Sequence, residues 1–219
     1  MSADRVLLAH GGGGSLTKQL ITDRIVARFG NPMLAPLADS ALLDLPAGRV
    51  AFTTDSYVVK PLRFRGGDIG RLAVCGTVND LAAAGARPLS LSAGFILEEG
   101  LPLETLQRVV RSMADTARRA GVQIVTGDTK VVGRGAADGL FINTAGIGVV
   151  PPGIDLGPHR LQPGDALLIN GTVGDHGLAV MTQREGLTFA SDLVSDTAPL
   201  NGLIAPLLNA LGVHIHWMR

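Results

Sequence analysis

Cysteine is nearly absent from this chain, aromatic residues are scarce, and neither sign of charge is in excess. Cys75 is the single cysteine among 219 residues. An intrachain disulfide is therefore excluded, and no His/Cys grouping has zinc spacing. Aromatics make up 4% of the chain, which leaves Leu, Val, Ile and Ala to build the core, as in α/β sheets covered on both faces. Nineteen basic residues balance nineteen acidic ones, so no net field draws the chain to nucleic acid or to an anionic membrane. No apolar run approaches the ~20 residues that span a bilayer. The first ten residues carry charge early and lack a cleavage signal. These absences predict a soluble, cytoplasmic protein with no nucleic-acid or membrane partner.

Glycine is what the chain has in quantity, 29 residues in a sequence that is 46% hydrophobic. Gly11, Gly12, Gly13 and Gly14 precede an amphipathic run through Leu16, Leu20, Ile21, Ile25 and Val26, with Ser15 as its cap and Gly30-Asn31-Pro32 as its stop. Strands are expected at Arg49–Thr54, Leu89–Leu97, Gln123–Thr126, Phe141–Val150, Ala166–Asn170 and Val213–Met218. Helices are expected over 70–84, from Pro102 to Gly121, over His176–Arg184 and over Leu203–Leu211. Pro151-Pro152-Gly153 is the best linker. It divides the chain into an arm (1–40), a first α/β domain (41–152) and the start of a second (153–219).

Three carboxylates stand where apolar periodicity breaks. Asp55 follows a strand, Asp128 follows another, and Asp80 sits beside Asn79 in an apolar helix. Carboxylates at strand ends can converge on a sheet edge and hold a hard cation with phosphates, whereas a lone Asp at such a place more often caps a turn. Asp80 has apolar neighbours and is costly to bury without a partner, which favours function there. The glycine run lets backbone N–H groups approach phosphate, with Lys18 adding charge, yet it lacks P-loop spacing. Thr126-Gly127-Asp128-Thr129-Lys130 offers hydroxyls, a carboxylate and an ammonium together, and Lys130 is suited to a transferring phosphoryl group. Asp175 reads as a helix cap, His214 and His216 as strand alternation, and Cys75 as a small buried hydrophobe.

These segments together resemble the HypE family of the PurM-like ATP-binding superfamily. The matching stretches include His10 through Gly14, Thr53 through Val58, Gly66 through Gly70, Cys75 through Asp80, Gly94 through Gly100, Thr126 through Val132, Phe141 through Gly146 and Gly171 through Gly177. The resemblance implies an α/β (α+β) fold whose N-terminal mixed sheet, flanked by helices, forms a barrel shared in a homodimer, followed by a second α/β domain. It implies ATP and magnesium as cofactors and ATP-dependent dehydration of a protein-bound S-carbamoyl group to a thiocyanate. The carbamoyl donor would be a HypF-type carbamoyltransferase and the cyanide acceptor a HypC–HypD scaffold complex.

Carried onto this sequence, the family pattern gives magnesium and phosphates to Asp55, Asp80 and Asp128, and phosphate hydrogen bonds to Asn79 and Thr129. Gly11, Gly12, Gly13, Gly14 and Gly127 form the nucleotide loops, and Lys130 stabilises the transferring phosphoryl. The family continues past the point where this sequence stops and ends in the acceptor cysteine, so a chain finishing at Arg219 is expected not to complete the reaction alone. Two other readings stand beside it: a PurM-like synthetase or kinase acting on a free substrate, and a non-catalytic dimerising module.

Overall fold

The computed structural model describes residues 5–32, 34, 43, 45–46, 48–186 and 193–219. The expected arm at 1–4 and 35–40 lies outside them. After a short turn at Leu8–Gly11, α1 (Ser15–Leu20) runs through a π-helical turn (Ile21–Val26) into α2 (Ala27–Phe29). Ser15 does not cap this arm. Gly14 is its N-cap, and the Thr17 hydroxyl accepts from the Gly13 amide at 2.9 Å.

The central unit is β1 (Arg49–Tyr57), a small hairpin of β2 (Arg63–Phe64) and β3 (Gly67–Asp68), α3 (Ile69–Ala83), β4 (Arg87–Glu98), α4 (Leu103–Ala120), β5 (Gln123–Val132) and β6 (Leu140–Val150). Four strands make a mixed sheet in the order β1-β6-β4-β5, with β4 and β5 parallel and the other pairs antiparallel. A parallel pair needs a crossover, and α4 supplies it.

Helix α4 forms for reasons legible in its residues. Pro102 enters with φ −60°, and Gly121 leaves with φ +70°, a left-handed value that L side chains resist. Between them Leu106, Val109, Val110, Met113 and Ala117 are buried on one stripe. Helix α3 begins at Asp68, whose carboxylate accepts from the Arg71 amide at 2.8 Å. It packs against α4 so closely that a Cβ on Gly70 would collide with the Val109 carbonyl. Both helices cover one face of the sheet, where Leu91, Ala93, Phe95 and Leu97 of β4 meet Leu140, Ile142 and Thr144 of β6. The opposite face leaves Val50, Phe52 and Ile96 exposed, Phe52 by 69%.

Pairing lengthens two strands past their expected ends. β5 continues through Gly127 and Asp128 to Val132, because β4 offers partners as far as Glu98. β1 continues past Asp55 to Tyr57 against Ile142. Both aspartates therefore lie within strands, not after them.

Beyond Val150 two expected strands are absent. Residues 166–170 have no strand partner, and Leu167 and Leu168 are 99% and 90% exposed. Apolar alternation alone does not make a strand when no neighbouring edge is present to take its hydrogen bonds. Residues 213–218 form a turn (Gly212–His214) and an irregular end. Arg160 donates to the Val213 carbonyl at 3.1 Å, and the His216 carbonyl accepts from the Gly157 amide at 3.0 Å. The two expected helices are present as α5 (Asp175–Arg184) and α6 (Asn201–Leu211). Gly174 is the N-cap of α5, and the Asp175 carboxylate accepts from the Thr172 hydroxyl instead of capping.

Candidate nucleotide site

A cavity of about 540 Å³ lies between the arm and the edge strand β5. Ile21, Ile25, Val26 and Phe29 of the arm, with Phe95 and Ile124 of the sheet, make one part apolar. Gly13, Thr17, Lys18, Thr126, Asp128 and Thr129 complete the lining, Thr129 from the same sheet face as Phe95. A mostly apolar recess with a few converging polar groups is the usual form of a small-molecule site. Three of its walls belong to the π-helical turn, a rare element that recurs at functional sites.

The arm is held to β5 by two devices. Asn31 donates to the Ile124 carbonyl at 2.9 Å while accepting from the Leu34 amide at 3.0 Å. Gly11 lies so near β5 that a Cβ would stand 2.9 Å from Val131 Cβ. Only Gly13 of the four glycines lines the cavity, and its φ of +76° suits glycine. Gly127 serves a second close approach, since a Cβ there would strike the Ala93 carbonyl.

Asp55 and Asp80 belong to a different place. The Thr53 hydroxyl donates to Asp80 at 3.2 Å, which puts Asp80 of α3 over β1 on the helix-covered face. Asp55 lies two residues along that same face, about 7 Å further at the usual strand rise. Asp80 is exposed, so the expected cost of burying it does not arise; it sits in the last turn of α3 beside the open edge of the sheet.

The register separates these two carboxylates from Asp128. Asp55 pairs with Thr144, Thr144 with Ala93, and Ala93 with Gly127. That is three strand spacings, about 14 Å. Asp128 is one residue further and so points to the opposite face, in line with Gly94, Asn143 and Ser56. Lys130, two residues on, shares that face and pairs with Asp128 at 3.1 Å, with both side chains 67% exposed. Among the described residues no group of three or more His, Cys, Asp or Glu is gathered to hold a metal. The expected meeting of Asp55, Asp80 and Asp128 does not occur within one chain, because strand alternation turns Asp128 away. Asp55 and Asp80 remain together on one face, and magnesium beside phosphates takes one or two carboxylates.

Asn79 is already engaged. Its amide donates to the Ala198 carbonyl at 3.0 Å and its oxygen accepts from the Leu200 amide at 2.7 Å. This clamps the extended strap 193–200 onto α3. Sequence reasoning missed that use, and it missed Thr17, Phe95, Asn143 and Tyr57. Asn143 donates to the Asp55 carbonyl and the Ser56 hydroxyl, both at 3.0 Å, and so ties β6 to β1. Tyr57 is buried beside Asp55, Thr77 and Thr144, and burial pushes its phenol well above the ordinary range. Cys75 is buried as expected; burial raises its thiol to about 11, against the opposing pull of the Arg71 guanidinium. A free thiol of that kind packs like a small hydrophobe.

Residues 37–150 match the family described as AIR synthase related protein, N-terminal domain. The chain is 54% identical to the carbamoyl dehydratase HypE of Rhizobium leguminosarum bv. viciae over 215 residues, which cover 98% of the chain and 61% of that relative. A crystal structure of the hydrogenase maturation protein HypE in complex with ATP matches with a TM-score of 0.94 and 54% identity, covering 97% of this chain and 63% of that one. A crystal structure of a HypE–HypF complex matches with a TM-score of 0.73 and 52% identity, covering 90% and 62%. The chain thus spans less than two thirds of the length of these relatives. The likeness to HypE and the PurM-like α/β fold expected from the sequence are both borne out. No helix among the described residues is long and apolar enough to cross a membrane.

Proposed function

That this chain belongs to the AIR synthase related family is the premise from which we propose its function: ATP-dependent dehydration of a protein-bound S-carbamoyl group, in the maturation of a nickel–iron hydrogenase. The observation that carries the proposal is the cavity beside β5, which gathers Gly13, Lys18, Gly127, Asp128 and Thr129 around an apolar recess. A purine would take the apolar recess lined by Ile25, Phe29 and Phe95. A nucleotide's phosphates would lie by Lys18 and Thr129, which line the same cavity.

The relative crystallised with ATP supports the choice of nucleotide. Magnesium would be held by Asp55 and Asp80, with Thr53 orienting Asp80, and, being three strand spacings from the cavity of its own chain, would offset the charge of phosphates brought by a second copy. The reaction balances as R–S–C(O)NH2 + ATP giving R–S–CN + ADP + phosphate. The carboxamide oxygen takes the phosphoryl group and leaves as phosphate, and the nitrogen gives up its protons. Lys130 would place its ammonium against the transferring group.

In one chain Lys130 and Asp128 point away from Asp55 and Asp80. We therefore take the acting form to be a homodimer in which a second copy meets the open sheet face. Val50 and Phe52, neighbours on that face of β1 and both exposed, support this, since adjoining apolar side chains on a sheet face gain from a cover. A HypF-type carbamoyltransferase is the proposed donor, in keeping with the HypE–HypF structure. A HypC–HypD complex is the proposed acceptor, in the cytoplasm. The domain reading of an arm at 1–40, an ATP-binding domain at 41–152 and a second domain from 153 belongs to the same proposal.

Calorimetry with ATP tests the reading. Binding is expected to strengthen with magnesium and to weaken about tenfold in Lys18→Ala, which removes one charge-assisted contact. No binding, or binding indifferent to both changes, refutes it. For the reaction, loss of one water's mass from an S-carbamoyl protein, with matching release of ADP, is the expected signal.

A further inference from the structure

Tyr57 carries the one phenol in the chain. The residue is 7% exposed, and its Oη lies buried beside Thr77, Asp55 and Thr144 without a well-formed hydrogen bond to any of them. A buried hydroxyl left unmade costs stability, and native chains keep such groups for a reason. The fold makes room for this one, because a Cβ on Gly76 of α3 would collide with Oη. The neighbouring hydroxyls have their protons engaged elsewhere, since Thr77 and Thr144 share a hydrogen bond at 2.6 Å and Thr144 donates to the Ala73 carbonyl at 3.1 Å; Asp55 is the nearby acceptor that carries a charge. Two residues back along the same face of β1 lies Asp55, whose Oδ1 accepts from the Ser56 amide at 2.8 Å. Its second oxygen has no such backbone tether.

We infer that Tyr57 is a positioning residue for Asp55: its buried hydroxyl donates squarely to the Asp55 carboxylate when magnesium and a nucleotide's phosphate end occupy the Asp55–Asp80 edge. The donor then gains a well-aligned acceptor in the loaded state, so its energy favours that state over the empty one. This rests on the nucleotide reading above. The phenol touches neither nucleotide nor cation and acts through the carboxylate.

The test is a double-mutant cycle on nucleotide binding in Tyr57→Phe, Asp55→Asn and the pair, with magnesium varied. Tyr57→Phe is expected to raise the magnesium concentration for half-maximal ATP binding about tenfold, the worth of one hydrogen bond to a charged group. ATP binding without magnesium, and the unfolding midpoint, should stay at or above the wild-type level. In the Asp55→Asn background the same change should add nothing. Equal magnesium dependence in wild type and Tyr57→Phe overturns the inference while leaving nucleotide binding intact, and so does an effect undiminished by Asp55→Asn. A wild-type chain with no magnesium-dependent binding overturns the nucleotide reading and this inference together.

Discussion

Replacing Asn79 by alanine separates two roles for one residue. Its side-chain amide makes two hydrogen bonds to the backbone of the strap, at 3.0 Å to Ala198 and 2.7 Å to Leu200, across 119 and 121 residues of sequence. Each is part-buried, and each is worth about 1 kcal/mol net, with a further share for the Leu200 amide left without its acceptor. The loss is therefore about 2–3 kcal/mol. If the strap is part of the cooperative unit, the melting temperature falls by about 4–10 °C. If the strap lifts alone, hydrogen exchange at the Leu200 amide quickens by roughly thirty- to a hundredfold while the global midpoint stays put. Calorimetry and amide exchange on the same sample distinguish the two. An Asn79→Ala chain with unchanged melting and unchanged Leu200 exchange, yet weakened ATP binding, would refute the clamp. It would return Asn79 to the phosphate role that its place in the Val78-Asn79-Asp80 motif suggests.

Gly127→Ala drives a methyl into the Ala93 carbonyl of the adjoining parallel strand. It should cost about 1–3 kcal/mol in denaturant midpoint, and an unchanged midpoint would show that the strands part without strain. The Glu98 carboxylate accepts from the Gly135 amide at 2.6 Å and the Gly139 amide at 2.8 Å, which hold its carboxyl below the ordinary value of 4.5. A carboxyl with a depressed folded pKa binds protons less readily in the folded chain, so its contribution is present above about pH 4.5 and fades as pH drops through the folded value. Exchange at the Gly135 and Gly139 amides, corrected for intrinsic pH dependence, should rise over that window, and Glu98→Gln should flatten the rise. The buried Cys75 thiol, raised to about 11, should resist thiol reagents at neutral pH until denaturant is added; prompt labelling of the native chain would contradict its burial.

The sequence by itself determined the elements whose signals are local. Helix α4 was legible because its apolar stripe, its Pro102 entry and its Gly121 exit all lie within a few residues of one another. The burial of Cys75 was legible for the same reason. Tertiary structure alone decided which face each strand residue meets. Gly127 and Asp128 look like the end of a strand, yet β4 runs alongside and carries pairing on to Val132. Asp55 and Asp128 look like equivalent carboxylates, yet pairing across three strands puts them on opposite faces, because one residue of offset inverts a side chain. Residues 166–170 have a strand's composition and no partner, and Asn79 has a motif's address and a distant strap to hold. Periodicity is a property of neighbours in sequence, whereas register, facing and clamping depend on residues more than thirty positions away.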